Sequence, residues 1–390
     1  MRDLSSLLGP TAISVTQIER QGDCMMEEFR GPKTAAGEIG SETRTRSKHH
    51  VRMDFSRGFA EWLIRRHIGL VASTYHSGQI VFIGAQANGQ LAVSATALPR
   101  PMGLAAFSQR IYVGCDAQIW RLENILGSGE LANDVFDRLY VPRTLHATGD
   151  LDIHELAVDA SGQIIFANTQ FSCVATVSAT HAFKPIWKPE FISRVSPGDR
   201  CHLNGIALEE GRLRYVTACS TTDVVDGWRA HRRDGGVLID AETNAIVAEE
   251  LSLPHSPRVR DGFVYFIESG RGALVQLERS SGAKRDVASF PGFARGLAFA
   301  GNYAVVTISS PRRSSLFDEL ALAGAMQRQG ALSWCGLQIV DLRNGDIVEW
   351  MRFDGDIAEL FDAAIIPGIR APRGLAPNAP ELAELVRGEC

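Results

Sequence analysis

The sequence predicts an all-β fold, a six-bladed β-propeller, from three observations. Pairs of β-rich segments recur along the body of the chain, and the first strands of successive pairs start about 40 to 52 residues apart. Polar turns such as Asn344-Gly345, a strong hairpin signal, separate the runs. The chain is also rich in glycine, with 37 residues, and contains few helical patterns. A repeat near 50 residues is typical of propeller blades, whose radial closure leaves few unprotected sheet edges.

The chain divides into a short extension, a propeller and a tail. Residues 1–55 show no sustained periodicity, so we expect a disordered or loosely packed N-terminal extension. Apolar residues at helical spacing between Phe55 and His67 predict a short helix that leads into the propeller, with Ser56 as its cap. The propeller is predicted to span 56–375, and 376–390 to form a C-terminal tail.

Six repeated units account for the predicted blades. An early unit begins at Gly69, and the later ones begin with the aligned segments 101–105, 153–157, 203–207, 254–258 and 294–298. Seven blades are the alternative, because 360–366 is a further apolar run. We prefer to assign this run as a strand that closes the ring beside the first blade. Two insertions, 122–145 and 309–332, interrupt the repeat, and the second has a helical pattern.

The charge balance argues against several classes of protein. The 40 basic and 45 acidic residues give a net charge of −5, whereas general binders of nucleic acid or anionic membranes are usually basic. No apolar run reaches the roughly 18 residues that a membrane-spanning helix needs. We therefore expect no nucleic-acid partner and no membrane partner, and instead a small-molecule or peptide ligand.

Other familiar signatures are missing from the sequence. The seven cysteines are odd in number and lack CxxC spacing, so neither a disulfide framework nor a thiolate zinc site is expected. The N-terminus has no apolar core followed by a cleavage site, so we expect a cytoplasmic location. The phosphate-binding motifs GxGxxG and GxxxxGK[ST] and the nucleophile motif GxSxG do not occur, so no nucleotide cofactor is expected.

Four segments of the chain carry a resemblance to a known family. Residues 201–205, 253–258, 294–299 and 335–342 resemble an uncharacterised bacterial family of conserved hypothetical β-propeller proteins, over about 59–372. This resemblance implies the propeller fold and brings no settled activity. More distantly, the layout is similar to the gluconolactonase, strictosidine-synthase and NHL-repeat propellers, some of which hold a metal on the central axis. One of their relatives, the peptidyl-hydroxyglycine lyase, holds zinc with histidines from different blades.

One aligned position of the repeats collects polar side chains. The first strand of each blade lines the central channel, so the residues at this position are expected to form a ring that faces the channel. The position is occupied by Met102, His154, Asn204, His255 and Arg295. Imidazole, amide and guanidinium groups are costly to desolvate without partners, so we expect a functional site here. His202 lies two residues before Asn204, and strand alternation places it on the same face.

Three of these side chains are candidate metal ligands. His154, His202 and His255 would converge from successive blades, and three imidazoles with an open position suit one divalent transition metal, zinc first. Each imidazole would need an acceptor for its second nitrogen, and Asp152 lies near His154 in the sequence. The alternative is that the three histidines are hydrogen-bonded channel residues, or bind a substrate directly.

The candidate substrate-binding residues are Arg295, Asn204 and Arg258. A guanidinium at Arg295 can hold a carboxylate or phosphate bidentately, with the amide of Asn204 orienting the ligand. Arg258 is a weaker candidate of the same kind. The alternative for Arg295 is a salt bridge to an acid of a neighbouring blade.

Together these residues predict a metal-dependent enzyme of lyase, hydrolase or isomerase type, acting on a small polar or anionic substrate in the channel. The alternative function is a non-catalytic propeller that binds a peptide or a small acid at the same mouth. That alternative rests on the lack of a nucleophile and a base at a recognisable spacing.

Overall fold

A computed structural model describes residues 51–310 and 319–385 and confirms the six-bladed β-propeller. Each blade is a sheet of four or five strands, and the innermost strands of neighbouring blades contact one another around a central channel. The predicted N-terminal extension falls mainly on residues 1–50, which lie outside the described residues. Residues 51–55 are a strand of the propeller, so the regular structure starts slightly before the expected boundary.

The strands are numbered in chain order, and each blade is given from the channel outwards. Blade 1 comprises β25 (Ala363–Pro367), β2 (Ile68–Ser73), β3 (Gln79–Ala85) and β4 (Leu91–Ala97). Blade 2 comprises β5 (Leu104–Phe107), β6 (Arg110–Gly114), β7 (Gln118–Asn124), β8 (Arg138–Ala147) and β26 (Pro372–Gly374). Blade 3 comprises β9 (Ile153–Val158), β10 (Ile164–Asn168), β11 (Cys173–Thr176) and β12 (Lys184–Trp187).

The other three blades follow the same plan. Blade 4 comprises β13 (Leu203–Glu209), β14 (Arg212–Ala218), β15 (Gly236–Asp240) and β16 (Ile246–Leu251). Blade 5 comprises β17 (Pro254–Arg260), β18 (Phe263–Glu268), β19 (Ala273–Glu278) and β20 (Lys284–Ser289). Blade 6 comprises β21 (Phe293–Ala300), β22 (Tyr303–Ser309), β23 (Cys335–Asp341), β24 (Ile347–Gly355) and β1 (Val51–Phe55).

Both ends of the described chain close the ring. β25 pairs with β2 in antiparallel register from Ile68↔Pro367 to Ala72↔Ala363, so the strand nearest the channel in blade 1 comes from the C-terminal side, as predicted. The segment that begins at Gly69 therefore provides the second and third strands of its blade, not the first. β1 pairs with the outer edge of β24, and β26 adds a short parallel strand to β8. These additions cover edges that would otherwise expose unpaired backbone groups.

Two α-helices are described, and both lie outside the blades. α1 (Phe59–Arg66) buries Phe59, Trp62 and Leu63, which explains the helical spacing in the sequence. The prediction that Ser56 caps this helix is wrong. Gly58 occupies the N-cap position, and the Ser56 hydroxyl proton instead faces the Glu349 carboxylate and the Trp350 carbonyl, both within β24.

The second helix, α2 (Ala321–Gln329), lies in the insertion of blade 6 where a helix was predicted. It ends at Gly330, which adopts a left-handed conformation. The Leu322 amide donates to the Gly270 carbonyl in blade 5 at 2.9 Å, so the insertion leans over blade 5. Neither of the described helices is long and apolar enough to cross a membrane.

Apolar residues fill the spaces between adjacent blades. Tyr215 and Leu238 of blade 4, for example, pack with Val264 and Phe266 of blade 5 in one buried cluster. Burial of a side chain of this size stabilises the fold by roughly 1.5 to 3 kcal/mol. Because every blade packs on two neighbours, the inner strands and the residues at their entrances are held firmly in place.

Candidate functional site

A cavity of about 390 Å³ lies where the inner strands begin, and the predicted ring of side chains forms part of its lining. Met102, His154, His255 and Arg295 all face it from different blades. Phe361, two residues before β25, also lines the cavity and provides the equivalent residue of blade 1. The aligned position of the repeats therefore converges on one space in five blades, and Asn204 of blade 4 is the exception.

A repeated backbone turn precedes the ring residues. Two residues before the ring position, Arg100, Asp152, His202 and Leu253 all have positive φ values between 44° and 52°. Left-handed backbone is unfavourable for such side chains, and residues held in it cluster at functional sites. The turn redirects the chain into the inner strand. It also explains the position of His202, which reaches the cavity from the turn and not from β13.

His154 and His255 share one hydrogen-bonding arrangement. Nδ1 of His154 lies 3.0 Å from the Asp152 carbonyl oxygen and 2.9 Å from Oγ1 of Thr169. Thr169 donates its own proton to the Leu203 carbonyl, 2.6 Å away, so its oxygen is an acceptor for the imidazole. These partners assign the proton to Nδ1 and leave a lone pair on Nε2.

The same pattern recurs two blades further on. Nδ1 of His255 lies 2.9 Å from the Leu253 carbonyl oxygen and 2.8 Å from Oγ of Ser269. Ser269 donates its proton to the Ala294 carbonyl of the next blade. Nε2 of His255 is buried and has no hydrogen-bond partner among the described residues. A buried nitrogen lone pair that faces a cavity can bind a metal or accept a proton.

His202 is positioned by a carboxylate and an indole. Its Nδ1 lies 2.8 Å from Oδ2 of Asp199, and the same oxygen accepts a hydrogen bond of 2.7 Å from Nε1 of Trp228. The Trp228 ring stacks on the imidazole, with 4.0 Å between the ring centroids. A carboxylate on Nδ1 fixes the orientation of an imidazole whose other nitrogen binds a metal.

Two of the three predicted metal ligands form a compact group with an acid. Asp152, His154 and His202 each offer one ligand atom, and these atoms lie within 4.8 Å of one another. The rings of His154 and His202 are 4.7 Å apart, centroid to centroid. His255 is outside this group, and its ring centroid lies 6.4 Å from that of His154. The three histidines therefore face one cavity, with His154 and His202 closest to each other.

Burial changes the acid–base properties of the histidines. It lowers the pKa of His154 to about 4, an effect opposed by nearby Asp152 and reinforced by His202 and Arg295. Burial and then the charge of Arg295 also hold the pKa of His255 well below its ordinary value. Both imidazoles are neutral at pH 7 and can act as ligands or bases. Burial alone would raise the pKa of Asp199, but its interaction with the His202 imidazole leads the effects that lower it overall.

Arg295 lines the cavity and also has a protein partner. Its Nη1 lies 3.0 Å from Oε1 of Glu359, on the segment that leads into blade 1. The guanidinium carbon lies 4.6 Å from the centroid of the Phe361 ring and 5.0 Å from that of Phe293. Arg295 therefore forms the salt bridge that was the alternative interpretation, and it also lines the cavity.

The other two predicted ligand-binding residues lie away from the cavity lining. Asn204 is buried, accepts a hydrogen bond of 2.8 Å from Thr217, and contacts the Cys219 sulfur. Arg258 forms a salt bridge with the buried carboxylate of Glu155, one layer below the ring. In the described structure, their polar groups bind protein partners within the channel wall.

Several residues at the site were not assigned there from the sequence. These residues contact the ring side chains from turns or loops whose geometry cannot be read from the repeat. They are Asp199, Thr169, Ser269 and Glu359. Thr169 and Ser269 did leave a signal, because they follow His154 and His255 by 15 and 14 residues respectively.

The described cysteines do not provide a reactive thiol. Those at 115, 173, 201, 219 and 335 are free and buried. Burial raises the pKa of Cys173 and that of Cys201 to about 12, and it also raises that of Cys335. A thiol with a raised pKa is a poor nucleophile and a poor metal ligand.

Comparisons with known proteins identify the family of the chain. A family model described as "Domain of unknown function (DUF4915)" matches residues 57–375. The curated proteins include no significant match to the chain. A structure titled "Crystal structure of Nidogen/Laminin Complex" is similar at 14% identity and a TM-score of 0.49, covering 77% of this chain and 99% of that chain. The computationally designed Ika8 protein is similar at 13% identity and a TM-score of 0.33, covering 75% of this chain and 76% of that chain.

Proposed function

Because the chain belongs to the DUF4915 family, whose description names no activity, we propose a function from the site itself. The protein is a metal-dependent enzyme of lyase, hydrolase or isomerase type. It binds one divalent transition metal, zinc first, at the mouth of the central channel. Its substrate is a small anionic molecule that enters the cavity lined by His154, His202, His255 and Arg295.

One observation carries this proposal. The Nδ1 atoms of all three histidines face acceptors, namely backbone carbonyls at His154 and His255 and the Asp199 carboxylate at His202. Each imidazole is thereby oriented with Nε2 available as a lone pair. Metal-binding histidines in proteins are nearly always fixed in this way by a carboxylate, a carbonyl or water on the other nitrogen. A purely structural channel has no need for three such imidazoles around one cavity.

His154 and His202 are the central ligands in this proposal, since they form the compact group with Asp152. Nitrogen and carboxylate oxygen atoms are both good ligands for zinc, and three protein ligands leave an open position for water or substrate. His255 faces the same cavity from the neighbouring blade. It serves either as a further ligand or as a neutral base near the reacting atoms, and its alanine variant distinguishes these roles.

The chemistry divides between the metal and the protein. A bound zinc ion supplies Lewis acidity and lowers the pKa of a bound water. Arg295 holds the anionic group of the substrate, and the neutral imidazole of His255 accepts a proton. Thr169 and Ser269 donate their hydroxyl protons to backbone carbonyls, so they position the histidines and are not nucleophiles. These roles suit hydrolysis, elimination or isomerisation.

Elemental analysis of the full chain, purified without chelators, tests the proposal. We expect about one equivalent of zinc per chain. His154→Ala and His202→Ala should each weaken zinc binding at least tenfold, measured by competition with a chromogenic chelator. His181→Ala, which changes an exposed histidine outside the cavity, is the matched control and should retain full stoichiometry.

Two further results complete the test. If His255→Ala keeps its zinc, His255 is a base, and if it loses zinc, His255 is a ligand. Wild-type protein that takes up no zinc, manganese, cobalt or nickel in equilibrium dialysis would overturn the metal-dependent function. The non-catalytic propeller that binds a small acid or a peptide would then be the better description.

A further inference from the structure

The cavity is divided into two chemically different halves. Around the ring, His154 lies in blade 3 and His255 in blade 5, and His202 enters between them at blade 4. The opposite half carries no imidazole among the lining residues, and its ring positions are Met102 in blade 2 and Phe361 in blade 1. Phe293 extends this apolar half at the entrance to blade 6. The two halves meet where the Phe361 ring lies 5.3 Å from that of His154, centroid to centroid, so a ligand in the cavity contacts imidazoles on one side and apolar side chains on the other.

Arg295 lies at the junction of the two halves. Its blade stands between that of His255 and that of Phe361, and its side chain lines the same cavity. The guanidinium rests between two aromatic rings, 4.6 Å from Phe361 and 5.0 Å from Phe293. Contacts of this kind fix the plane of a guanidinium and orient it for a planar anion.

The outer part of the cavity combines apolar and basic side chains. Leu253 and Leu320 line it beside Trp228, Arg229 and Arg232, and Leu320 belongs to the insertion of blade 6 that leans over blade 5. Pockets that bind small organic molecules are mostly apolar with a few polar groups, and a volume of about 390 Å³ is at the small end of their range. A fully hydrophilic substrate would leave these apolar walls without a partner.

We propose that the substrate is a carboxylic acid with an apolar side chain, aromatic or branched aliphatic. The carboxylate pairs with Arg295, and the side chain packs against Phe361, Met102 and Phe293. This geometry directs the atoms next to the carboxylate towards the imidazoles, so the bond that reacts lies within one or two bonds of it. The inference rests on the proposed function for the reacting end, whereas the binding preference stands on the cavity alone.

Isothermal titration calorimetry with three matched probes tests this preference on the full chain. Phenylacetate carries both features, acetate lacks the apolar body, and 2-phenylethanol lacks the charge. We expect phenylacetate to bind at least about tenfold more tightly than either of the others, because one buried methylene group alone contributes roughly tenfold or more. Comparable affinity for acetate and phenylacetate, or for phenylacetate and 2-phenylethanol, would overturn the assignment.

Variants of the apolar half identify the residues that contact the side chain. Phe361→Ala and the nearly isosteric Met102→Gln should each weaken phenylacetate binding about tenfold and change acetate binding much less. Phe107→Ala removes an exposed ring outside the cavity and is the control for loss of a phenylalanine. Thermal melts establish that each variant folds. Unchanged phenylacetate affinity in both folded cavity variants contradicts the proposal.

The titrations are run with zinc-loaded and with zinc-free protein, so that the two proposals fail separately. Protein that takes up no metal but keeps the preference for phenylacetate contradicts the metal-dependent function and supports the ligand class. Protein that binds zinc without this preference supports the metal site and contradicts the ligand class.

Discussion

At the scale of single residues, the site depends on which nitrogen of each imidazole is protonated. Nδ1 of His154 and Nδ1 of His255 each donate to a backbone carbonyl and to a hydroxyl. That hydroxyl donates its own proton to a backbone carbonyl of the next blade. The acceptors make Nε2 the reactive atom of both rings. Neutral histidine side chains with one nitrogen fixed in this way are ready to bind a metal without prior loss of a proton.

Substitutions at Arg295 and at Glu359 should change the affinity for an anion in opposite directions. Arg295→Lys replaces a planar guanidinium with a single ammonium group, so we expect phenylacetate affinity to fall about tenfold or more. Glu359→Gln removes the carboxylate that already faces Arg295, so affinity should rise, by about fivefold at low salt. Calorimetry at two salt concentrations measures both effects. Equal losses in the two variants would indicate that the pair is only a structural salt bridge.

The sequence predicted the ring residues themselves but not what orients them. His154, His255 and Arg295 could be found because they occupy one position of a repeat that faces the channel. Asp199 and Glu359 could not, because they lie in irregular segments whose path is determined by tertiary contacts. Asn204 occupies the ring position as predicted, but its amide is used by Thr217 in the channel wall.

At the scale of elements, the turns before the inner strands shape the site. His202 was expected on the ring through strand alternation, whereas it occupies the left-handed turn before β13. Positive φ values at non-glycine residues leave no reliable mark in a single sequence, so this placement could not be predicted. The strands were easier to predict, because alternating and continuous apolar runs determine which of their faces is buried.

Close packing of neighbouring inner strands makes the glycine at position 296 intolerant of a side chain. A Cβ atom there would lie 2.7 Å from the Cα atom of Asp362, in the backbone of the adjacent strand entrance. Backbone cannot move aside cheaply, so Gly296→Ala should lower the free energy of unfolding by about 1 to 3 kcal/mol. Urea unfolding followed by tryptophan fluorescence measures the change.

Gly324→Ala is the matched control, because it makes the same substitution within α2. The nearest atom to the added Cβ would be Nη1 of Arg328 at 3.3 Å, at the end of a flexible side chain. Alanine favours a helix over glycine by about 1 kcal/mol, so this variant should be neutral or more stable. Equal stability of the two variants would contradict the steric argument.

At the scale of the whole molecule, the residues in one layer of the channel alternate between glycine and larger residues from blade to blade. One residue after the ring position, blades 2, 4 and 6 carry glycine, whereas blades 3, 5 and 1 carry larger residues. These residues are Gly103, Glu155, Gly205, Ser256, Gly296 and Asp362, taken around the ring from blade 2. The sequence repeat was interpreted as six equal units, but this layer has the pattern of three pairs of blades.

Hydroxyl contacts between blades repeat the same alternation. Ser73 of blade 1, Thr169 of blade 3 and Ser269 of blade 5 each donate to a carbonyl at the inner-strand entrance of the following blade. His154 and His255 therefore occur where the pairing repeats, at blades 3 and 5. Blade 1 keeps the hydroxyl but has Phe361 in place of a histidine, which is what makes half of the cavity apolar.

The layer below the ring holds charges that link distant parts of the chain. The Glu155 carboxylate pairs with Arg258 and accepts a hydrogen bond of 2.7 Å from the Ile206 amide. Asp362 accepts a hydrogen bond of 2.9 Å from the Leu104 amide, so it joins the closing strand of blade 1 to blade 2. Two buried carboxylates thus share the field of one guanidinium, and one of them is favoured to keep a proton.

This arrangement makes closure of the ring depend on pH. Burial, followed by the charge of Glu155, raises the pKa of Asp362 from 3.8 to about 7. The folded state therefore keeps a proton that the unfolded chain loses above about pH 4. The stability that Asp362 contributes in this way is complete below that pH. This stability is lost as the pH rises to about 7. The loss is about 1.4 kcal/mol for each unit by which the pKa of Asp362 differs between the folded and the unfolded state.

The lowered pKa values of His154 and His255 change stability with pH in the opposite direction to the raised pKa of Asp362. The test must therefore compare a variant with wild type at each pH. The lowered pKa values of His154 and His255 make the folded state gain stability as the pH rises towards their ordinary value of 6.5. Asp362→Asn leaves both histidines in place and removes the titration of Asp362, together with its electrostatic effect on Glu155. Relative to wild type, we expect this variant to be most destabilised near pH 4.5 and progressively less so towards pH 7.5 in urea unfolding.

The control is Asp346→Asn, in an exposed turn. Its free energy of unfolding should change with pH in parallel with that of wild type. If the free energy of unfolding of Asp362→Asn also ran parallel to that of wild type, Asp362 would be ionised over the whole pH range. Arg258 would then neutralise the carboxylates of both Asp362 and Glu155.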